Sequence, residues 1–340
     1  MSLKVGIVGA AGYAGAELIR LVLGHPEFEL VAITSNADAG QPLSAVYPSF
    51  AGVSDLVFTT HDAPELKSCD AVFLAVPHTA AMAQVPALLA SGVSCFDLSA
   101  DYRLNDASIF ETWYAAEHTS PELLKTRAFG LPELFSQDLE TAASDHADGK
   151  PVLVACAGCY PTATSLAAAP AVRAGWVAEN GPVIVDAISG VTGAGKSCNA
   201  RTHFCSADEN LEAYGVGKHR HTPEIEQILG LTDRVVFTPH LAPLKRGLLS
   251  TVTLPLTPQA IDSLALEDVV DYYKQFYAGR TFVRVLDAGQ QPKTASVVGT
   301  NAAQIGLALN KRAGVLVATG AIDNLCKGAA GQAVQCANIV

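Results

Sequence analysis

One cysteine stands where a helix is predicted to begin, which is a favourable position for a nucleophile. Cys159 follows a short apolar strand, residues 151–155, and precedes an alanine-rich helical stretch, residues 163–174. The unpaired N–H groups and the dipole of a helix N-terminus stabilise a thiolate and lower the pKa of the thiol. Cys159 is therefore a candidate for covalent catalysis.

Three other interpretations of this cysteine stay open. Cys156 and Cys159 have the C-x-x-C spacing of a redox dithiol, although they end a late strand instead of opening a thioredoxin-like domain. An inert buried thiol is a second possibility. A zinc site is a third, but no second close C-x-x-C completes it, and we expect no metal. In such a zinc site, the further ligands would be Cys198, His203 and Cys205.

Two histidines flank an arginine in the segment His219-Arg220-His221, just before a helix that Thr-Pro-Glu begins. Isolated histidines are usually structural, but this pair could supply a general base and a contact to an anion. The spacing alone leaves a catalytic and a structural role open.

A glycine turn near the start of the chain indicates a nucleotide site. The pattern G-x-x-G-x-x-G lies between a predicted strand, residues 4–8, and a predicted helix, residues 16–23. Such glycines let the backbone approach a pyrophosphate, which then binds at the positive end of the helix. The residues expected around it are Gly9, Gly12, Tyr13, Ala14 and Gly15.

The end of the next strand predicts which dinucleotide binds. About 20 residues beyond the turn, where a carboxylate would bind the ribose hydroxyls, the chain has Ser35 and Asn36. A hydroxyl can bond a 2′-phosphate, and no carboxylate at that position repels it. We therefore expect NADP(H) rather than NAD(H), although Asp38 is close by.

Weaker signals favour an anionic substrate. Ser99 and Arg103 follow the end of a predicted strand, where open sheets bind ligands. Residues 189–196, which include Gly190, form a polar glycine-rich loop, and Arg246 lies in a further loop. Each of these alone is more often a turn or surface feature.

Strands and helices alternate through the first half of the chain, with strands expected at 29–34, 70–76 and 93–98 and a helix at 79–90. This order predicts a Rossmann-type, doubly wound parallel sheet. Beyond residue 180, strands follow one another with one clear helix, residues 266–277, which predicts a second α+β domain with a mixed sheet. These strands are expected at 183–187, 234–238, 248–254, 281–286, 295–299, 305–310 and 314–319.

Composition excludes several classes of protein. The chain has 340 residues, of which 49% are hydrophobic and only 16% charged, so disorder is excluded. Its net charge of −11 argues against nucleic-acid binding. Eight scattered cysteines and no long apolar stretch are expected of a soluble, cytoplasmic protein that binds no membrane. The low surface charge favours self-association.

The motifs taken together resemble the N-acetyl-γ-glutamyl-phosphate reductase family of arginine biosynthesis, within the wider group of aspartate-semialdehyde and glyceraldehyde-phosphate dehydrogenases. They run in order along nearly the whole chain. The matching segments are GAAGYAG (9–15), DLSADYRL (97–104), GLPEL (130–134), GCYPT (158–162), SGVTGAGK (189–196), HRHTPEI (219–225), FTPHLAPLKRG (237–247) and DNLCKGAAGQAVQ (323–335).

The resemblance implies a Rossmann domain, residues 1–155, a catalytic and oligomerisation domain, residues 156–320, and a C-terminal helix, residues 321–340, that returns to the first. It implies Cys159 as nucleophile and His219 as its acid/base partner. NADPH would reduce an acyl phosphate through a cysteine thioester in a homodimer or homotetramer. The residues implied near the substrate or nicotinamide are Arg103, His221 and Asn324.

Two other functions stay open at this stage. A homologous reductase for N-acetyl-aminoadipyl phosphate differs in substrate by one methylene, which is worth only about 1–3 kcal/mol of discrimination. An NADPH-binding redox regulator is less consistent with Cys159 and the two histidines. The chain has Cys156-Ala157 where the family often has a proline before Gly158, so a disulfide between Cys156 and Cys159 is a further hypothesis.

Overall fold

The structure is a computed structural model that describes residues 2–340. It divides into two compact units: residues 2–157 with 329–340, and residues 158–328. Among residues 2–340, no helix has the length and apolar character needed to cross a membrane.

The first unit is built on a six-stranded parallel sheet in the order β2-β1-β3-β4-β6-β5, which confirms the predicted doubly wound sheet. The strands are β1 (Leu3–Val8), β2 (Phe28–Thr34), β3 (Ala71–Leu74), β4 (Ser94–Asp97), β5 (Ala128–Gly130) and β6 (Leu153–Cys156). The helices that precede residue 157 are α1 (Tyr13–Leu23), α2 (Leu43–Val46), α3 (Val85–Ala90), α4 (Ala107–Tyr114) and α5 (Ser136–Ala147).

Apolar runs explain the central strands, because a parallel sheet is covered on both faces. Val5 and Ile7 belong to one buried cluster, while Val8 belongs to a second cluster. Helix α1 buries Leu18 and Ile19 in the first of these clusters and ends at Gly24.

Parts of this unit differ from the prediction. The expected helix at 79–90 is a short 3₁₀ turn, Ala81–Ala83, followed by α3, because the carboxylate of Asp101 accepts hydrogen bonds from three amides of this loop. Strand β5 was not predicted, since three residues are too few to show a period. Helices α4 and α5 were also missed.

The second unit is built on a seven-stranded sheet in the order β11-β12-β13-β10-β7-β9-β8. The strands are β7 (Val183–Gly190), β8 (Glu212–Ala213), β9 (Val235–Ala242), β10 (Leu248–Pro255), β11 (Val283–Val285), β12 (Ala303–Asn310) and β13 (Val315–Ile322). The helices are α6 (Cys159–Arg173), α7 (Phe204–Ala207), α8 (Thr222–Leu229), α9 (Pro258–Ser263) and α10 (Leu266–Phe276).

The second sheet is mixed, as predicted: β11/β12 and β7/β9 are parallel pairs and the other pairs are antiparallel. Helix α6 packs against β10, β12 and β13 and is buried along most of its length. Alternate residues of β7, such as Val183 and Val185, are buried, whereas Ile184 and Asp186, which alternate with them, are exposed.

The strand predicted at 295–299 is wrong. The structure has a 3₁₀ turn at Thr294–Ser296, and the amides of Val297 and Val298 both donate to the carbonyl of Thr294. Gly299 N donates to a carboxylate. These bonds use the amides that a strand would have offered to a neighbour.

The chain ends in α11 (Gly331–Ile339), which follows a π-helical turn, Cys326–Ala330. Helix α11 packs against α1 and α5. Its Ala333, Val334 and Cys336 join the hydrophobic cluster that contains Val5. The last twelve residues therefore belong to the first unit.

Candidate active site

The glycine turn forms a tight cradle between β1 and α1. Gly9 has a φ of +78°, and a Cβ there would lie 2.4 Å from the carbonyl oxygen of Ala75. A Cβ on Gly15 would lie 2.5 Å from the carbonyl oxygen of Gly9. Side chains cannot occupy these positions without moving the backbone, and Gly12 is the N-cap of α1. The geometry fits a phosphate group held at the first amides of the helix.

The end of β2 carries a hydroxyl and a carboxylate in contact. Ser35 Oγ donates to Asp38 Oδ2 at 2.6 Å, and Ser35 is buried. Tyr47 donates to the carbonyl of Ala11 in the glycine turn. Burial and then the charges of Tyr13 and Asp38 raise the pKa of Tyr47 to about 12. The glycine turn and the Ser35 hydroxyl thus share one region of the first unit.

The segment after β4 is buried and internally bonded. Ser99 donates from Oγ to Asp97 Oδ2 at 2.8 Å and also donates from its amide to Oδ1. Arg103 is 5% exposed and donates to the carbonyls of Leu98 and Cys156, at 2.7 and 2.8 Å. Both Ser99 and Arg103 therefore hold this loop, and their contact with a substrate stays a prediction.

Asp97 is fully buried at the end of β4. Burial and the nearby Asp101 raise the pKa of its carboxyl from its ordinary value near 4 to about 7, although Ser99 and Arg103 oppose the rise. This carboxyl consequently changes charge near neutral pH.

Cys159 is the first residue of α6, because this helix begins four residues earlier than the predicted start at residue 163. Gly158 is the N-cap, and its amide donates to Glu224 Oε1 at 2.8 Å. Glu224 is 1% exposed and lies in the first turn of α8. A buried carboxylate thus fixes the turn that presents the thiol, and Cys159 itself is half-buried.

The π-helical turn before α11 packs directly against Cys159. A Cβ built on Gly328 would lie 2.6 Å from Cβ of Cys159 and 3.1 Å from its Cα. Only a glycine fits at this distance. π-Helical turns are often found at functional sites.

Aromatic and imidazole rings surround the start of α6. The ring of Tyr160 contacts those of His219 and His221, with centroids 5.8 and 6.0 Å apart. His219 also contacts Tyr214 and Phe237 edge-on. Tyr214 donates to the hydroxyl of Tyr160, which donates to the carbonyl of His240. The two predicted histidines therefore lie beside the residue that follows Cys159.

His219 is neutral at physiological pH. Burial, and secondarily the charge of Arg220, lowers its pKa to about 4. The amide of His221 donates to Nδ1 of His219 at 3.1 Å, so the proton of the neutral ring is on Nε2. The ring can therefore donate a hydrogen bond from Nε2.

A second network joins the loops around Asn324. Its Oδ1 accepts from Gly247 N at 2.8 Å, and its Nδ2 donates to Thr192 Oγ1 at 2.9 Å. The buried Asp323 forms an ion pair with Arg246, with a shortest distance of 2.9 Å. Asn324 and Arg246 are thus oriented by neighbours within the second unit.

Gly190 occupies a close approach in the same loop region. A Cβ there would lie 2.7 Å from the carbonyl oxygen of Leu244. Its amide donates to the carbonyl of Gly247.

All eight cysteines are thiols, with no disulfide. Cys156 is buried, and its hydrogen bond with Cys336 and its burial hold its pKa well above the ordinary value. A thiol in this state is a poor attacking group for a disulfide with Cys159. Cys198 and Cys205 are exposed, and no group of three or more His, Cys, Asp or Glu side chains within residues 2–340 could hold a metal ion.

Sequence reasoning missed several residues of these sites, namely Tyr160, Tyr214, Glu224, Asp323 and Gly328. The Thr-Pro-Glu signal was interpreted only as a helix start, although its glutamate bonds an amide 66 residues away. The aromatic type of Tyr160 next to Cys159 was the one local signal available.

Comparison with known families agrees with this architecture. Residues 4–142 match the model described as semialdehyde dehydrogenase, NAD binding domain, and residues 159–324 match semialdehyde dehydrogenase, dimerisation domain. An aspartate semialdehyde dehydrogenase II from Vibrio cholerae superposes with a TM-score of 0.74 at 14% identity, covering 100% of this chain and 98% of that one. One from Candida albicans, solved with NADP, gives 0.73 at 17%, with the same coverage. The fold and the two domains are those of the semialdehyde dehydrogenase class.

Full-length relatives define the family within that class. A protein of Symbiobacterium thermophilum named N-acetyl-gamma-glutamyl-phosphate reductase is 45% identical, covering 100% of this chain and 95% of its own length. A protein of the same name from Neisseria meningitidis is 43% identical, with coverage of 99% and 94%. The chain belongs to the N-acetyl-γ-glutamyl-phosphate reductase family, which confirms the resemblance inferred from its motifs.

Replacing Gly328 by alanine tests the packing around Cys159. We expect Gly328→Ala to lower the free energy of unfolding by about 1–3 kcal/mol, because the new methyl group overlaps Cys159. The rate at which iodoacetamide alkylates Cys159, followed by mass spectrometry of its peptide, should change as well. Gly24→Ala is the control, since a Cβ there meets nothing closer than 3.7 Å. Equal behaviour of the two variants would contradict the packing.

The raised pKa of Asp97 predicts a pH-dependent stability. The folded state keeps this proton up to about pH 7, whereas the unfolded chain loses it near pH 4. The stabilisation is therefore fully present below pH 4 and is lost as the pH rises to about 7. Asp97→Asn removes this dependence, so its Tm relative to the wild type should rise between pH 5 and pH 8. Parallel Tm curves would show that Asp97 does not titrate in this range.

Proposed function

We propose that this protein reduces N-acetyl-γ-glutamyl phosphate to N-acetylglutamate 5-semialdehyde and phosphate, with NADPH as reductant. The relatives at 43–45% identity over nearly the full chain support the reaction. The observation that carries it is the half-buried thiol of Cys159 at the first residue of α6, beside the rings of Tyr160 and His219.

Cys159 is the proposed nucleophile. Its thiolate attacks the acyl carbon, the bond to the phosphate oxygen breaks with its electron pair, and phosphate leaves as a thioester forms. The positive end of the helix dipole, at the N-terminus of α6, favours the thiolate of Cys159. The bond from Gly158 to Glu224 keeps that turn in place. Attack through a thioester keeps the reactive carbonyl on the enzyme until reduction.

His219 is the proposed acid/base partner, and its neutral ring acts as a hydrogen-bond donor. With Nδ1 accepting from the His221 amide, Nε2–H can donate to the oxygen of the thioester or thiohemiacetal. Negative charge develops on that oxygen as the carbonyl is reduced, so the donor stabilises the transition state. The tetrahedral oxyanion then collapses: its C–S bond breaks with the electron pair going to sulfur, which releases the aldehyde and restores the Cys159 thiolate.

The nucleotide is proposed to bind the glycine turn. The cradle formed by Gly9 and Gly15 has no room for side chains, and Gly12, Tyr13 and Ala14 line the start of α1. When bound, NADPH supplies the hydride that reduces the thioester. We assign Gly190 and Asn324 to the nicotinamide end of the nucleotide.

Ser35 is the proposed ligand of the 2′-phosphate. Its hydroxyl lies at the end of β2, where the ribose is expected. The Asp38 carboxylate that accepts from Ser35 is the one feature here that favours NAD(H). Comparison of the two cofactors therefore decides this assignment.

We assign the anionic groups of the substrate to Ser99, Arg103, His221 and Arg246. Arg246 keeps its guanidinium fixed through Asp323, and its side chain is about one-quarter exposed, at 24%. His221 lies at the N-cap of α8. These cationic and polar groups stand out in a chain whose net charge is −11.

The protein contains a domain matched to a dimerisation family, and we propose that it forms a homodimer or homotetramer through the open face of the second sheet. Ile184 of β7 and Val236 of β9 are register partners, and they are 39% and 50% exposed. Two apolar side chains paired on an open sheet face fit a contact between copies. We place the enzyme in the cytoplasm, where its eight thiols stay reduced.

The reverse reaction tests the function directly. Incubation with N-acetylglutamate 5-semialdehyde, phosphate and NADP⁺ should produce NADPH, measured by absorbance. We expect kcat/KM to be at least about tenfold lower with NAD⁺, because the 2′-phosphate contact is lost. Cys159→Ser should reduce kcat by about 10³-fold or more, since a hydroxyl is a far weaker nucleophile at neutral pH.

The exposed Cys205→Ser is the matched control and should keep wild-type activity. Near-normal turnover by Cys159→Ser would refute the thioester route, and equal kcat/KM values would refute the preference for NADP⁺. Faster reaction with the aldehyde that is one carbon longer would assign the protein to the aminoadipyl substrate instead.

The low pKa of His219 predicts an unusual pH profile. If the neutral ring is the active form, activity falls only as the pH approaches about 4, so kcat/KM at pH 5.5 should retain about 97% of its plateau. A histidine of ordinary pKa, near 6.5, would leave about 10%. The measurement corrects for phosphate ionisation and uses His219→Asn to define the residual rate. A midpoint near 6.5 would contradict the neutral role.

A further inference from the structure

A strained threonine lies in the segment that follows β3, which ends at Leu74. Thr79 has a φ of +74°, a conformation that β-branched residues rarely adopt and that glycine adopts freely. Such strain persists only where the surroundings enforce it, and it is commonest at functional sites.

The strained segment follows β3, the strand that lies beside β1 and its glycine turn. Strand β3 pairs with β1, and residues 77–82 follow it as the glycine turn follows β1. Ala75, just after β3, donates to the carbonyl of Val8, and its own carbonyl fills the space where a Cβ of Gly9 would be. The chain returns from β1 to β2 on one side and crosses to β3 on the other. Ligands of open α/β sheets bind at such a reversal of strand order.

One buried carboxylate holds this segment. Asp101 is completely buried, and its Oδ1 accepts from Thr79 N at 2.6 Å. Its Oδ2 accepts from the amides of Ala81 and Met82 at 3.0 and 3.2 Å. Three charge-assisted bonds to main-chain amides fix the positive φ of Thr79 and explain why the 3₁₀ turn replaces the start of a longer helix.

A buried histidine holds the main chain at Asp101. His118 is buried, and its Nε2 donates to the carbonyl of Asp101 at 2.7 Å, because its Nδ1 accepts from the amide of Ser120. Tyr114 contacts the ring of His78, the residue before Thr79, with centroids 5.3 Å apart. We call Asp101 and the three amides that it binds the clamp. Contacts from α4 and from the segment that follows it therefore hold the clamp in place.

We propose that Asp101 is a positioning residue for the nucleotide: it holds residues 77–82 in a strained conformation that shapes the crevice between β1 and β3. This inference rests on the proposed nucleotide-binding role of the first unit. It assigns to the DLSADYR segment a task separate from substrate binding, since Asp101 acts on main-chain amides and not on substrate.

Asparagine at position 101 tests the clamp, because the amide keeps the shape but offers only one acceptor oxygen where two are used. We expect Asp101→Asn to raise the Kd for NADP⁺ about tenfold, measured by titration calorimetry, with a rise in KM for NADP⁺ and a smaller change in kcat. Asp106→Asn is the matched control. Asp106 also accepts from a main-chain amide, that of Ser108, but at the exposed start of α4, so nucleotide affinity should be unchanged.

Rescue separates positioning from a general loss of stability. Thr79→Gly removes the strain, so it should raise Tm by about 2 °C and restore most of the lost affinity when combined with Asp101→Asn. A lower Tm in Asp101→Asn with unchanged Kd would overturn the proposal, as would a tenfold loss that Thr79→Gly leaves unaltered.

Two further comparisons cover a variant that does not fold and a wild type that lacks the proposed activity. If Asp101→Asn does not fold, the double variant is compared with Thr79→Gly, and a Kd difference above about tenfold in this relaxed background would refute the clamp. If the wild type binds NADP⁺ but does not oxidise the semialdehyde, the proposed reaction fails while the clamp remains testable. Wild-type protein that does not bind NADP⁺ refutes both.

Discussion

The bond between the amide of Gly158 and the carboxylate of Glu224 is the constraint on which the candidate active site depends. It joins the N-cap of α6 to the first turn of α8, and it is buried. Because Glu224 is only three residues beyond His221, the same contact brings the histidine segment to the helix that presents Cys159. Gly328 also packs against Cys159, where there is room only for its hydrogen.

Four buried carboxylates order the main chain of this protein. Only 16% of the chain is charged, yet Asp97, Asp101, Glu224 and Asp323 are all buried. Each accepts hydrogen bonds from backbone amides, so the cost of burying the carboxylate is offset by donors that a loop or helix end leaves unpaired. Loops held in this way can be irregular and still rigid, which is what a site assembled at strand ends requires.

The sequence predicted features that depend on local pattern. The glycine turn, the parallel sheet and the helix after Cys159 follow from residues that are neighbours in the chain, and the structure has all three. It did not predict bonds whose partners are distant, such as Asp101 with Thr79 or Glu224 with Gly158, which are 22 and 66 residues apart. The strand expected at 295–299 was wrong for the same reason, because Asp323 engages the amide of Gly299.

The position of α11 has a consequence for how the chain folds. The first unit begins with β1, but the cluster that buries Val5 and Ile7 also requires Ala333 and Cys336 near the other end of the chain. During synthesis this unit cannot complete its core until the ribosome has released Cys336. The second unit, continuous from Gly158 to Gly328, has no such requirement. Contacts of such long sequence separation slow folding. The first unit, although it is synthesised first, therefore completes its folding only after the second unit has been synthesised.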